Sequence, residues 1–232
     1  MNTNQHSNQY PRFHLNKNLH VIHGGNYQGF NIISSKSPFI KEWLDATLDT
    51  TYRALQQYPR VTIIRFDLRF PDYVPYFDDS YTSWAFQRFI NSLKAKIKHS
   101  RSMTLKQTDR VNDTVVRYIA CTEYEKDGKP HIHVALFLNG DAYRYIGWFE
   151  SEENNLAKMI SSAWCSALNL LLEEEKCLVY FPSNCVYRIN RNRESYADAI
   201  YRLSYLCKIK SKHFGIGLHP FNHSHTQVFE NR

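Results

Sequence analysis

Positions 115–140 of the chain read VVRYIACTEYEKDGKPHIHVALFLNG, and they carry the clearest structural pattern in the sequence. Two runs rich in apolar residues flank the turn-forming sequence KDGK at 126–129, a pattern that predicts a β-hairpin. Alternate side chains of a strand share a face, so His131 and His133 lie together while Ile132 enters the opposite layer. Two imidazoles held side by side on a strand suit a divalent metal ion.

The same hairpin brings acidic side chains toward the two histidines. Glu123 lies on the first strand and folds back beside them across the turn, and Glu125 shares its face by alternation. Glu123 is the first choice for a third ligand, and Glu125 is the reserve. Two imidazoles and one carboxylate leave positions open for a phosphate oxygen. Oxygen ligands favour Mg²⁺ and imidazoles favour later transition metals, so the sequence predicts Mn²⁺ or Mg²⁺, with Zn²⁺ as an alternative.

Outside the hairpin, the pattern predicts a single α+β domain with a central antiparallel sheet flanked by helices. Strands are predicted at 61–70 and 178–181, and helices at 39–57, 79–98, 151–172 and 195–210. Residues 1–37 are polar and lack sustained periodicity, which favours an extended or poorly ordered N-terminal arm. No internal repeat or linker divides residues 38–218, which we take as the domain, and residues 219–232 are predicted to form a tail.

The composition favours a soluble protein that binds nucleic acid. The 232-residue chain has a formal net charge of +7, which suits a polyanionic partner. Its five cysteines are odd in number and form no C-x-x-C pair, which argues against a zinc knuckle or a disulfide framework. No apolar signal segment opens the chain and no stretch is long enough to span a bilayer. We therefore expect a cytoplasmic protein with no membrane partner.

The last predicted helix separates into two faces on a helical wheel. Tyr201, Tyr205, Lys208 and Lys212 share a sector opposite the apolar stripe, which is also the arrangement of an ordinary solvated surface. Phenol has a pKa of about 10, so a nucleophilic tyrosine needs a nearby cation, and Lys208 would supply it. The surrounding segment is basic, as a DNA backbone requires. The candidates for DNA contact are Arg191, Arg193, Arg202, Lys210 and Lys212.

Two of these motifs resemble those of HUH endonucleases, the initiators of rolling-circle replication. The sequence EYEKDGKPHIHVAL at 123–136 is similar to their metal motif, and YRLSYLCK at 201–208 resembles the YxxxYxxK motif of their two-tyrosine branch. Several stretches also resemble the inovirus-type replication protein family, the YagK/YfjJ C-terminal domain. These stretches are residues 64–68, 131–143, 163–168 and 201–212. The resemblance covers residues 58–218.

The resemblance implies a five-stranded antiparallel sheet with the histidine pair on a central strand. It also implies metal-dependent nicking and joining of single-stranded DNA, with Tyr205 and Tyr201 as nucleophiles. We prefer Tyr205 as the first nucleophile because Lys208 then completes a Tyr-x-x-Lys motif. Asp67 matches the first strand motif of the family, where its role is either structural or close to the site.

The implied biological setting is the start of rolling-circle replication of a phage or prophage-like element in a bacterial cytoplasm. The implied partners are single-stranded DNA at a replication origin and, beyond it, a host helicase and polymerase. Two alternatives stay open at this point. One is a catalytically inactive prophage protein of the same fold that binds DNA or regulates, and the other is an HUH-type transposase with one catalytic tyrosine.

Overall fold

The computed structural model describes residues 10–72, 79–147, 155–170, 178–215 and 219–225. Eleven strands, four helices and two 3₁₀ turns lie in this part of the chain. In chain order they are β1 (Arg12–Phe13), β2 (Asn16–Ile22), β3 (Asn26–Tyr27), β4 (Phe30–Asn31), a 3₁₀ turn (Ser34–Lys36), β5 (Phe39–Ile40), α1 (Lys41–Gln57), β6 (Arg60–Arg69), α2 (Asp79–Thr108), β7 (Arg117–Tyr124), β8 (Pro130–Asn139), α3 (Leu156–Leu168), β9 (Val179–Tyr180), β10 (Val186–Asn190), α4 (Arg193–Leu203), a second 3₁₀ turn (Ser204–Cys207) and β11 (Phe221–His223).

The main sheet is antiparallel and has six strands among the described residues, in the order β10-β6-β8-β7-β11 with β9 also paired to β6. The predicted hairpin is confirmed as β7 and β8. Its register places Glu123 directly opposite His131. On the other side of β8, Asp67 of β6 lies directly opposite His133. The predicted α+β class with a central antiparallel sheet is thereby confirmed, with one strand more than the five that the resemblance implies.

Helices cover both faces of the sheet, which is why β6 and β8 are apolar on both sides. Helices α1 and α4 pack on the face that carries Ala135 and Phe137. Helices α2 and α3 pack on the face that carries Val134 and Leu136. Because side chains alternate along β8, His133 emerges on the same face as Ala135, beneath α1 and α4.

Residues 10–37 fold onto the α1 side of the sheet instead of forming an arm. Phe13, Ile22 and Phe30 are each at most 3% exposed and belong to the core beneath α1. The backbone N–H of Ile33 donates to the Ser204 hydroxyl at 3.1 Å, which joins this segment to the second 3₁₀ turn. Three of the four strands in this segment have two residues each, and the fourth, β2, opens with three polar residues, so sequence periodicity does not show them and the domain begins before residue 38.

Several predicted elements differ from the structure at their ends. The helix predicted over 195–210 is α4 and stops at Leu203, after which the chain tightens into a 3₁₀ turn. The predicted helix at 79–98 continues to Thr108. Residues 151–154 and 171–172 of another predicted helix lie outside the described residues. Part of the predicted C-terminal tail is β11, which pairs with β7.

No helix in the described ranges is long and apolar enough to cross a membrane.

Candidate metal centre

Three side chains at the turn end of the hairpin form the candidate metal centre. Within the described part of the chain, Glu123, His131 and His133 are the one such group whose ligand atoms converge, all within 4.8 Å of one another. The two Nε2 atoms are 3.2 Å apart, and Glu123 Oε2 is 3.6 Å from His133 Nε2. Ligands bound at about 2.0–2.2 Å to one ion lie roughly 3.0–3.5 Å from each other. The spacing therefore fits a single divalent ion.

Glu125, the reserve ligand, lies one residue beyond the end of β7. It is exposed and is absent from the converging group. The ladder explains the difference, because pairing continues to Tyr124↔Pro130 and fixes Glu123 across from His131. Glu125 instead belongs to the turn, where its backbone N–H donates to the carbonyl of Lys129 at 2.9 Å.

Asp67 orients His133. Its Oδ1 accepts a hydrogen bond from His133 Nδ1 at 2.5 Å, which leaves Nε2 to face the candidate metal position. Burial alone would raise the pKa of Asp67, but the hydrogen bond and charge of His133 outweigh burial, and the pKa is lowered. Arg65, on the same strand, lies 3.4 Å from this carboxylate. The role of Asp67 that the sequence leaves open is thus a contact with a candidate ligand.

His131 is held as a neutral imidazole. Burial and the neighbouring His133 lower its pKa to about 4. A neutral ring keeps its lone pair available at pH 7, as a metal ligand must. Its Nδ1 is buried and has no hydrogen-bond partner within the described ranges. Its other nitrogen, Nε2, lies 3.2 Å from His133 Nε2, and among the described residues no carboxylate orients this ring as Asp67 orients His133.

Glu123 is surrounded by positive charge. Lys208 Nζ lies 2.5 Å from both carboxylate oxygens, and Lys212 Nζ lies 3.0 Å from Oε1. The Ser211 hydroxyl donates to Oε2 at 3.0 Å. Burial would raise the pKa of Glu123, but His133 and the two lysines lower it far below its usual range. The carboxylate is therefore ionised and shared between the lysines and the candidate metal position.

Lys212 consequently does not occupy the position that the sequence predicts for it. It is 7% exposed and points at Glu123, so a DNA backbone cannot reach it as it would a surface cation. The helical wheel placed Lys212 on the outer face by assuming that the helix continues past Leu203, but α4 ends there. Ser211 has no signal in the sequence at all, since only the turn after the second 3₁₀ segment brings it to Glu123.

Tyr205 packs against the candidate metal centre. Its ring meets the His133 ring edge to face, with centroids 5.3 Å apart. Lys208 Nζ lies 3.7 Å from the Tyr205 ring centroid. Three further cations lie 5.6–5.8 Å from it: Lys36, Arg65 and Arg202. Burial and the charge of Glu123 raise the pKa of Tyr205, while Lys36 and Arg65 lower it. We call the four cationic residues around Tyr205 the cation ring: Lys36, Arg65, Arg202 and Lys208.

The two tyrosines of the YxxxYxxK motif face different cavities. Tyr205 lines an open cavity of ≈ 580 Å³ together with Glu123 and His131. Tyr201 is 45% exposed and lines another cavity, beside Phe30. An α-helix would keep residues four apart on one face, but the 3₁₀ turn begins at Ser204, between the two tyrosines. Of the two tyrosines, only Tyr205 is brought to the candidate metal centre.

The remaining candidates for DNA contact have mixed surroundings. Arg191 is exposed and donates to the carbonyls of Leu55 and Gln56 at the end of α1, at 3.1 and 3.3 Å. Arg193 donates to the carbonyl of Gln28 at 2.7 Å. Arg202 belongs to the cation ring and Lys210 is exposed. Among these cations, Arg202 is the one that contacts Tyr205, beside the candidate centre.

Comparison with known proteins places the chain in a family. Residues 22–224 match the YagK/YfjJ C-terminal domain. The chain is 33% identical over 181 residues to the uncharacterized protein YagK of Escherichia coli strain K12, covering 74% of this chain and 86% of YagK. It is also 33% identical over 175 residues to the uncharacterized protein YfjJ of the same strain, covering 71% of this chain and 84% of YfjJ. No solved structure matches it significantly. The chain belongs to the YagK/YfjJ C-terminal domain family.

Proposed function

We propose that this protein nicks and joins single-stranded DNA by tyrosine transesterification. Tyr205 is the nucleophile, and Glu123, His131 and His133 hold Mn²⁺ or Mg²⁺. The observation that carries the proposal is the position of Tyr205, packed on the ring of His133 and enclosed by the cation ring. The resemblance of both motifs to those of HUH endonucleases supports the same chemistry.

The reaction exchanges one phosphodiester for another. When bound, the metal ion would polarise the scissile phosphate as a Lewis acid. Tyr205 Oη attacks phosphorus, the bond to the 3′ oxygen breaks, and the 5′ phosphate stays on the tyrosine. The phenol gives up one proton and the departing 3′ oxygen takes up one, so atoms and charge balance without a nucleotide cofactor. The free 3′-hydroxyl then primes synthesis.

The cation ring suits the charge that develops at Tyr205. A buried phenol ionises reluctantly, and burial raises the pKa of Tyr205 accordingly. Fixed cations around it favour the phenolate and also the negative phosphate that it attacks. Lys208 lies against both the Tyr205 ring and the Glu123 carboxylate, so a single ammonium group can act on the nucleophile and on a ligand. This position gives the lysine of the Tyr-x-x-Lys motif a physical role.

The proposed biological role is the initiation of rolling-circle replication of a phage or prophage-like element. In this role the partners are single-stranded DNA at the origin, then a host helicase and polymerase. A two-tyrosine mechanism assigns the closing transfer to Tyr201. Because Tyr201 lines a different cavity, that transfer would require Tyr201 to approach the centre, whereas a single-tyrosine enzyme would use Tyr205 alone.

The experiment uses a random-sequence single-stranded oligonucleotide library with Mn²⁺. We expect a protein–DNA adduct that survives boiling in detergent and is lost in Tyr205→Phe. Tyr118→Phe is the matched control, because it removes the same hydroxyl from a half-buried tyrosine on the opposite face of the sheet. This variant should keep the adduct. Sequencing the captured DNA identifies the site. An adduct that persists in Tyr205→Phe, or none with either Mn²⁺ or Mg²⁺, overturns the proposal.

A second candidate function is DNA binding without cleavage. The observation that favours it is the engagement of Glu123 by Lys208 and Lys212, which satisfies the carboxylate without an ion. This alternative predicts salt-dependent binding of DNA that is unchanged by Tyr205→Phe, with no covalent adduct under any metal condition. Fluorescence anisotropy and the adduct assay on the same preparation distinguish the two functions.

A further inference from the structure

A second pair of histidines lies at the edge of the main sheet. In β11, His223 pairs with Ile119 of β7. The contact continues past the end of β11, since the Ser224 N–H donates to the Tyr118 carbonyl at 2.9 Å and the Tyr118 N–H donates to the Ser224 hydroxyl at 3.1 Å. The rings of His223 and His225 meet beside this ladder, with centroids 4.3 Å apart and planes at 52°.

The spacing of this pair resembles that of the candidate metal centre. The ring centroids of His131 and His133 are 4.7 Å apart, and their Nε2 atoms converge at 3.2 Å. The rings of His223 and His225 are closer still. Both pairs have the sequence His-x-His, and they lie on β8 and on the β11 segment, the two neighbours of β7 in the sheet.

The surroundings of His223 leave a ligand atom unused. Its Nδ1 is buried and has no hydrogen-bond partner in the described ranges. A buried nitrogen without a partner is unfavourable, and a bound ion would satisfy it. Asp49 of α1 lies close enough to act electrostatically on His223, and its carboxylate is ion-paired with Arg53 at 2.7 Å. His225 is exposed, so the pair is open to solvent on one side.

We propose that His223 and His225 bind a transition-metal ion of the Zn²⁺ or Ni²⁺ type. Two imidazole nitrogens favour such ions over Mg²⁺. A bound ion would fix the C-terminal strand on β7, the strand that supplies Glu123 to the first centre. The site does not depend on the proposed nicking activity.

The test is calorimetric titration of the tag-free full chain with Zn²⁺. We expect about two ions per wild-type chain, about one in His131→Ala/His133→Ala, and none when His223→Ala/His225→Ala is added, since each imidazole pair supplies one site. His219→Ala is the matched control, because this exposed histidine precedes the same strand and should leave the stoichiometry unchanged.

The single substitution His225→Gln gives a second test that does not rely on a variant with several histidines removed. Its side chain is exposed, so the fold should survive, and circular dichroism checks that it does. In the His131→Ala/His133→Ala background we expect Zn²⁺ to raise the thermal midpoint, and His225→Gln to abolish that rise. If Zn²⁺ binding and the thermal shift are unchanged by His225→Gln, the inference is overturned. Loss of nicking activity has no bearing on either readout.

Discussion

Asp67 acts at the scale of a single hydrogen bond, by holding the ring of His133. We expect Asp67→Asn to weaken Mn²⁺ binding by roughly 10–100-fold, because the amide no longer fixes the tautomer and orientation of the imidazole. Calorimetric titration with Mn²⁺ measures the change. Asp141→Asn is the control, since Asp141 pairs with Arg60 at the surface, at the opposite end of β8. Equal Mn²⁺ affinity in wild type and Asp67→Asn would show that His133 needs no such support.

Glu123 is the residue on which the charges of the site converge. Glu123→Gln would leave Lys208 and Lys212 buried without their carboxylate, and we expect a loss of about 3–5 kcal/mol in the free energy of unfolding. Urea denaturation measures this loss. Glu125→Gln, at the exposed neighbour on the turn, should change the free energy by less than about 0.5 kcal/mol. An unchanged free energy of unfolding in Glu123→Gln would contradict the inference that this carboxylate neutralises the two buried lysines.

The same carboxylate predicts a pH dependence of stability. The folded-state pKa of Glu123 lies far below its ordinary value of 4.5, so the group stabilises the fold fully above that value. This contribution is lost as the pH falls toward the lowered pKa, because the unfolded state then binds more protons. We expect the free energy of unfolding to fall between about pH 5 and pH 3, and to fall less steeply in Glu123→Gln. Parallel slopes for the two proteins would contradict this.

At the scale of elements, one serine joins the N-terminal segment to the turn that carries Tyr205. The Ser204 hydroxyl accepts from the Ile33 N–H at 3.1 Å and donates to the Tyr201 carbonyl at 2.7 Å. We expect Ser204→Ala to cost about 0.5–1.5 kcal/mol of unfolding free energy, because the half-buried Ile33 N–H loses its hydrogen-bond acceptor. Ser183→Ala, at an exposed serine, is the control for urea denaturation. Equal midpoints for the two variants would refute the role of this link.

Sequence periodicity predicted the hairpin but not the end of α4. The hairpin was predictable because its apolar runs, turn residues and alternation all agree on β7 and β8. The end of α4 was not, because the residues that follow Leu203 keep a helical spacing of apolar side chains although the backbone tightens there. The contacts of Lys208 with Glu123 and the backbone bond from Ile209 N–H to the Pro38 carbonyl hold that segment in place. Each of these contacts joins residues that are far apart in sequence.

At the scale of the whole molecule, the N-terminal segment is part of the domain. Ile22, at the end of β2, is 3% exposed beneath α1. Leu15, in the turn just before β2, is 58% exposed. We expect Ile22→Ala to lower the free energy of unfolding by about 2–5 kcal/mol, through lost burial and the cavity left behind. Leu15→Ala should change it by less than about 0.5 kcal/mol. If both variants unfold at the same midpoint as wild type, residues 10–37 contribute nothing to the fold.

Local sequence pattern was enough to predict the hairpin, the histidine pair, Glu123 as the first carboxylate and the α+β class. These follow from local alternation and turn chemistry, which need no knowledge of distant contacts. Contacts between distant segments were needed to show that Asp67 holds His133, that Lys212 is buried, and that Tyr205 rather than Tyr201 reaches the candidate centre. These depend on strand register, on the end of a helix and on the packing of residues 10–37. Pairing and packing join segments that sequence periodicity treats separately, so no local pattern reports them.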